Sequence, residues 1–379
     1  MAVVHIMGLA VAGLALAGAL YTALTAILAC RFRATPDKAA ASLPPMSVLK
    51  PLHGDEPALD LNLETYFVQD YPAPYQLLFG VQSRSDAAIA TVERLRARHP
   101  EVDATLVIDG RSHGTNAKVS NLVNMSASIR HGLVVVSDSD ISVPPTYLRE
   151  LAVALEPDTV GAVTCPYTGW AARGAGSLFC AMGINFHFLP NALAGVALGL
   201  VTPCFGSTIA VKGAVLAEIG GFAAFANFLA DDYEIGRAVR ATGRRVPVAP
   251  PMVRHACGEN SLSEWFSHEL RWQRTTRVIA AAGHAGSIIT YPIPLGLLGA
   301  ILLGFSGFGV AVLATTVLSR VVLKWRLERH FGFDGGSFWM LPAADLLSFA
   351  IFLVSLFGGR VEWRGARLKV DHDGALLQR

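Results

Sequence analysis

Long apolar runs at both ends of the chain bracket a middle in which short apolar runs alternate with helical stretches. The first run, Ala2 to Cys30, is apolar or small except for His5. It is long enough to cross a bilayer of about 30 Å. Arg31 and Arg33 follow it, and basic residues after a first span place that side in the cytoplasm. Its length and the lack of an early basic region argue against a cleaved signal peptide. Ser287 to Leu303 and Phe308 to Leu323 read as two more spans joined by a Gly-rich turn. Lys324, Arg326 and Arg329 then return the chain to the cytoplasm. Phe338 to Phe357 carries Pro342 and Asp345 and precedes Arg360, Arg364, Arg367 and Lys369. A full crossing here would put the basic tail outside, against the charge rule, so this run is either re-entrant or the span count differs by one.

From Ser47 to Arg277 the pattern changes. Strands are expected over Ser47 to Lys50, Gln76 to Gln82, Ala104 to Ile108, Leu133 to Ser137, Val160 to Cys165, Ser207 to Val211 and Val246 to Pro250. Helical patterns fall between them at Ile89 to Arg98, Lys118 to Ile129 and Thr146 to Glu156. This alternation predicts an α/β domain built on a mostly parallel, doubly wound sheet. Leu178 to Leu200 is apolar enough for hydropathy to make it a span, but Asn185, His187, Pro190 and Asn191 interrupt it. It reads as an apolar helix and loop packed in the domain or lying in the membrane interface. The resulting division is an N-terminal anchor over 1–33, an α/β domain over 46–280, a membrane region over 286–358 and a basic tail over 359–379. Thr35 to Pro45, rich in Ala and Pro, is the one plausible hinge.

Composition agrees with membrane segments around one large domain, since 52% of the 379 residues are hydrophobic and only 16% are charged. The net charge of +2 and the lack of a basic stripe with interleaved aromatics argue against a nucleic-acid partner. The five scattered cysteines, with no CxxC, fit a reducing compartment without disulfides. No GxGxxG, GxxxxGK[ST] or GxSxG motif is present, and His268-Glu269 lacks the second histidine of a zinc-protease helix because position 272 is Trp.

Three polar clusters carry candidate chemistry. Asp138-Ser139-Asp140 follows the β-branched run Leu133 to Ser137, so its carboxylates leave the carboxyl end of a buried strand, where open α/β sheets bind ligands. Such a pair suits Mg²⁺ or Mn²⁺ shared with a diphosphate, although Asp-X-Asp alone is also a common solvated turn. Asp231-Asp232 opens a helical pattern. The carboxylates there either complement the helix dipole or supply a general base. His268-Glu269-Leu270-Arg271-Trp272, followed by Arg274 and Arg277, is either a diphosphate clamp or a basic amphipathic helix at the membrane surface, and the two roles are compatible.

These clusters, in this order, resemble the membrane-bound ceramide glucosyltransferase-like glycosyltransferases. The resemblance covers nearly the whole chain. It includes Leu49-Lys50-Pro51-Leu52-His53-Gly54, Asn62-Leu63-Glu64-Thr65, Asp70-Tyr71-Pro72, Asn116-Ala117-Lys118-Val119-Ser120-Asn121-Leu122, Gly220-Gly221-Phe222, Asp231-Asp232-Tyr233 and Trp363-Arg364-Gly365. Three segments resemble the bacterial hopanoid-biosynthesis-associated branch: Asn185 to Asn191, Pro203 to Thr208 and His268 to Trp272.

The resemblance implies a GT-A (Rossmann-like) domain with N- and C-terminal transmembrane helices. It implies an inverting, UDP-sugar-dependent hexosyltransferase acting on a lipid hydroxyl. The acceptor would be a hopanoid polyol receiving N-acetylglucosamine, with ceramide and glucose as the alternative. A non-catalytic scaffold that kept the fold is a further alternative. Asp138 matches the metal-binding residue of the family's Asp-X-Asp element and Asp140 its second place. Asp232 matches the proposed base. Arg271 and Trp272 match the end of the (Gln/Arg)-X-X-Arg-Trp motif. Lys50, Asp86, Lys118, Asp138, Asp231 and His268 are the expected nucleotide-sugar contacts; Lys118 also reads as an ordinary helix lysine. Two departures stand out: His268 replaces Gln or Arg at the head of the last motif, and Ser83 stands where an acidic residue is common, leaving Asp86 to serve the uracil or ribose. The location implied is the bacterial inner membrane, multi-pass, with the catalytic domain cytoplasmic and membrane lipids as further partners.

Overall fold

The computed structural model describes residues 2–32 and 43–357, together with the backbone of 360–363, 366–370 and 376–377. Arg33, most of the expected hinge, Arg364, Gly365 and the tail side chains, including those of Arg360, Arg367 and Lys369, lie outside the described residues. The chain divides into two compact units. One comprises Met1–Phe32, Arg173–Val201 and Glu259–Arg367, and the other Arg33–Ala172, Thr202–Gly258 and Leu368–Arg379. The expected domain over 46–280 thus contributes two of its stretches, 173–201 and 259–280, to the helical unit.

The second unit is built on a six-stranded sheet. Its strands are β1 (Met46–Pro51), β2 (Tyr75–Val81), β3 (Asp103–Ile108), β4 (Leu133–Val136), β6 (Ala162–Thr164) and β8 (Ile209–Lys212), in the order β3-β2-β1-β4-β8-β6. β1, β2, β3 and β4 pair in parallel, whereas β8 runs antiparallel between β4 and β6. β1 and β4 are buried along nearly all their length, as their uninterrupted apolar sequences require. The chain winds outward from β1 through β2 to β3 and then returns to place β4 on the other side of β1. The β1/β4 boundary is therefore the switch point where doubly wound sheets open a ligand crevice. A second sheet, β5 (Ile141–Ser142), β9 (Val253–Cys257) and β7 (Tyr167–Ala171), was not expected from sequence. The expected strand at Val246 to Pro250 is reduced to isolated bridges, Val160 with Arg245 and Thr164 with Val248. Pro247, Pro250 and Pro251 lack the N–H a continuous ladder needs.

The first unit is helical. Among the described residues, three of its helices are long and apolar enough to cross a membrane, Ala2–Ala29, Gly174–Ala197 and Gly307–Phe331. A bent pair, Ala281–Thr290 with Pro292–Leu302, turns by 66° and would make a fourth. The straight span expected over Ser287 to Leu303 is thus broken. Pro292 disfavours helical geometry at Tyr291, which sits at φ −112° and ψ 58°. The helix expected to end at Leu323 runs on to Phe331, and the run Phe338 to Phe357 forms a helix of only 16 residues, Met340–Ser355. At 1.5 Å per residue that is about 24 Å, short for a bilayer core. Small residues let the N-terminal helix approach its neighbours, with Ala12 and Ala15 buried against Leu295 and Leu303. On the last two helices Arg320 and Asp345 form a buried bidentate pair at 2.7 and 2.6 Å, and Arg320 also donates to the carbonyl of Phe186.

Candidate active site

Asp138 leaves the end of β4 beside the switch point, as its apolar run predicted. Lys50, at the end of β1, is fully buried; its Nζ donates to the carbonyl of Asp138 and lies 4.1 Å from the centre of the Tyr66 ring. Burial pulls its amine down to about 7 against the pull of Asp140 and Asp138. The expected nucleotide-sugar contact is thus seen holding the backbone of the Asp-X-Asp turn. Asp86 ties the loops after β1 and β2 together, accepting from Gly54 N at 2.9 Å and Ala88 N at 3.0 Å.

Lys118 stands in the first turn of the Ala117–Ser126 helix. Asn116 caps that helix, its Oδ1 accepting from Val119 N at 3.1 Å. The same Asn116 donates through Nδ2 to Asp231 Oδ1 at 3.2 Å, so one cap residue fixes two elements. Lys118 Nζ lies 2.7 Å from Asp138 Oδ1 and 3.6 Å from Asp231 Oδ2. Burial by itself favours the neutral amine, but Asp138 and Asp231 outweigh it and hold the Lys118 ammonium well above the usual lysine range. This lysine is therefore part of a charge cluster and not an ordinary solvated one.

Asp231 and Asp232 open the Asp231–Ala241 helix, where the dipole favours carboxylates. Asp232 Oδ1 accepts from Tyr233 N at 2.8 Å and Oδ2 from Gly206 N at 2.9 Å. A Cβ at Gly206 would stand 3.2 Å from Asp232 Oδ2 and 3.5 Å from both Asp138 Oδ2 and Lys118 Nζ. Asp138, Lys118 and Asp232 therefore converge on one point, and only glycine leaves it open. Burial, then the neighbouring Asp231, pushes the Asp232 carboxyl up to about 6, with Lys118 pulling the other way.

Asp140 faces His255 on β9, Nε2 to Oδ2 at 3.3 Å. Burial raises the Asp140 carboxyl above the usual range, although His255 opposes the shift. Its Oδ1 is buried with no hydrogen-bond partner among the described residues. An orphaned carboxylate oxygen, a second carboxylate two residues away and an adjacent imidazole are a donor set that fits a divalent cation. Sequence reasoning missed His255 and Gly206. His255 lies more than 100 positions from Asp140 and only the β5–β9 pairing joins them, and Gly206 has no side chain to signal a role.

His268, Arg271 and Trp272 lie on the Leu262–Ile279 helix of the other unit. The His268 ring meets Trp272 edge-on at 4.7 Å, and its Nδ1 is hydrogen-bonded to Glu259 Oε1.

Carboxylates, a charged lysine and a half-buried carboxyl able to accept a proton, gathered at a sheet's switch point, suit transfer from an anionic leaving group. Residues 9–376 match the family model described as Glycosyl transferase family 21. The chain belongs to glycosyl transferase family 21. Among curated relatives, Ceramide glucosyltransferase 1 of Caenorhabditis elegans is 26% identical over 352 residues, 88% of this chain and 73% of that protein. Ceramide glucosyltransferase 3 of the same organism is 29% identical over 237 residues, 62% of this chain and 51% of that protein. Among solved structures, the mannosyltransferase PcManGT from Pyrobaculum calidifontis, in complex with GDP-Man and Mn²⁺, shares the fold. The TM-score is 0.54 at 18% identity, covering 93% of this chain and 99% of that one. This family 21 chain is thus a sugar-transferring enzyme with a GT-A fold and apolar helices of a membrane protein.

Proposed function

We propose that this family 21 enzyme moves a hexose from UDP to a lipid hydroxyl at the cytoplasmic face of a bacterial inner membrane, with inversion at the anomeric carbon. The observation that carries the reading is the convergence of Asp138, Lys118 and Asp232 on the open point at Gly206. Asp232 accepts the proton of the acceptor hydroxyl, the freed oxygen bonds to the anomeric carbon, and the bond to the β-phosphate oxygen breaks. The N–H groups of Gly206 and Tyr233 hold both Asp232 oxygens, so the carboxylate is oriented before substrate arrives. Lys118 supplies positive charge where the diphosphate leaves. Asp138 and Asp140, with His255 beside them, would hold Mg²⁺ or Mn²⁺, which neutralises diphosphate charge when bound. Asp86 is assigned to the nucleoside, and the roles of His268, Arg271 and Trp272 rest on their place in the family motif.

We also place 173–201 on one side of the membrane. β4 and β8 are hydrogen-bonded neighbours, yet this stretch lies between them in sequence. A single crossing would send the two strands of one sheet to opposite faces of the bilayer.

A hopanoid polyol with N-acetylglucosamine is the acceptor and sugar favoured by the Asn185 to Asn191, Pro203 to Thr208 and His268 to Trp272 segments. Ceramide with glucose is the second reading, favoured by the names of the curated relatives. Purified enzyme offered UDP-N-acetylglucosamine and UDP-glucose with each lipid, and the products weighed, decides between them. UDP release without a glycolipid in any combination would overturn the lipid acceptor.

A further inference from the structure

Three side chains of different chemistry meet within the helical unit, one of them His268 at the head of the (Gln/Arg)-X-X-Arg-Trp motif. Cys180 lies within the Gly174–Gly183 helix, Glu259 just before the Leu262–Ile279 helix, and His268 two turns into that helix. The thiol, one carboxylate oxygen and one imidazole nitrogen all lie within 4.8 Å of one another. Cys180 is 3% exposed and Glu259 9%, while the His268 side chain keeps 23% of its surface open.

The scaffold around them is tightly fixed. Ser177 N donates to the carbonyl of Glu259 at 2.8 Å, which binds the two segments backbone to backbone. A Cβ at Gly176 would stand 2.2 Å from the carbonyl oxygen of Ser261 and 2.9 Å from that of Glu259. Only glycine lets the two segments approach so closely. Ser261 caps the second helix, accepting from Glu264 N at 3.2 Å, and Glu264 Oε2 accepts in return from Asn260 N at 2.8 Å. His268 is steadied by its edge contact with Trp272 at 4.7 Å, and Phe179 packs on Trp265 at 5.5 Å.

We propose that Cys180, Glu259 and His268 bind a zinc ion. Ligands on a tetrahedral zinc lie about 2.0–2.3 Å from the metal, hence about 3–4 Å from one another. The three donor atoms, all within 4.8 Å of one another, lie close to that range. The thiolate and imidazole select zinc over the hard cations suited to Asp138 and Asp140. Three protein ligands leave a fourth position, which the partial exposure of His268 opens to water. The ion takes the place of the hydrogen bond between His268 and Glu259: the imidazole ligates through one ring nitrogen and keeps its proton on the other, and the thiol proton leaves to solvent. In effect it clips the Gly174–Gly183 helix to the one that carries Arg271 and Trp272. The assignment is independent of donor and acceptor identity.

The test uses the full chain in detergent, stripped with chelator and titrated with Co²⁺ and Zn²⁺. Cobalt should give a thiolate-to-metal charge-transfer band at one equivalent, and zinc should abolish it. Cys180→Ser should lose the band while keeping the wild-type elution profile. His268→Gln, which keeps the thiol, should weaken Co²⁺ by at least ~10–100-fold, the loss seen even for residues that only support a ligand. Asp138→Ala, whose site has no thiolate, should keep the band. Absence of the band in folded wild-type protein overturns the proposal, as does a band that survives Cys180→Ser.

Discussion

Gly206 donates its backbone N–H to Asp232 Oδ2 at 2.9 Å, and the absence of a side chain at this glycine keeps open the space between Asp232 and Asp138. Gly206→Ala would set a methyl group 3.2 Å from Asp232 Oδ2. Transfer should fall by ~10-fold or more, about 1.4 kcal/mol of barrier, with little change in melting temperature. Wild-type turnover in this variant would show that the space is not used by substrate.

The raised Asp232 carboxyl fixes the sign of the pH dependence. Protonated below about 6, it cannot accept a proton, so kcat/KM should fall as pH drops through that value. Asp231 is a main cause of the shift after burial, so Asp231→Asn should move the acid limb to lower pH. A limb that stays in place in a pH–rate profile of this variant would detach it from Asp232.

If Asp138 and Asp140 hold the cation, excess EDTA should abolish transfer and added Mn²⁺ or Mg²⁺ should restore it. Asp138→Ala and Asp140→Asn should both weaken metal-dependent nucleotide binding, measured by calorimetry. Full activity in EDTA would remove the metal from this site.

In the helical unit, Arg320 and Asp345 are both buried and meet bidentately. Removing one partner of such a pair strands a charge and typically costs ~3–5 kcal/mol, whereas replacing both costs far less. Arg320→Met should lower the melting temperature in detergent sharply, and Arg320→Met with Asp345→Leu should recover much of it. A loss in the double variant equal to the sum of the two single losses, Arg320→Met and Asp345→Leu, would mean that the pair is not coupled.

The sheet's interior strands were legible because buried parallel strands are written as unbroken apolar runs, as in Leu133 to Val136. β5, β7 and β9 were not, since two residues of Ile141–Ser142 or the mixed sequence of Val253–Cys257 carry no such run; their pairing is decided by tertiary contact. Asp138 and Asp231-Asp232 could be named from sequence because each sits at an element end with a recognisable start or stop, and Lys118 because its segment resembles the family. Their convergence was implied by the resemblance alone, because its geometry depends on Asn116 bridging two helices and on Gly206. The break at Tyr291-Pro292 was written in the prolines but hidden by the hydropathy of the whole run.

Asp232→Asn tests the central claim most directly. It keeps shape and removes the base, so purified variant should bind UDP-sugar with unchanged affinity while sugar transfer to lipid falls by ~10²–10⁴. Binding and single-turnover glycolipid formation measured on the same preparation give both numbers. Retention of most of the transfer rate with intact binding would contradict Asp232 as the base and the single-site account built on it.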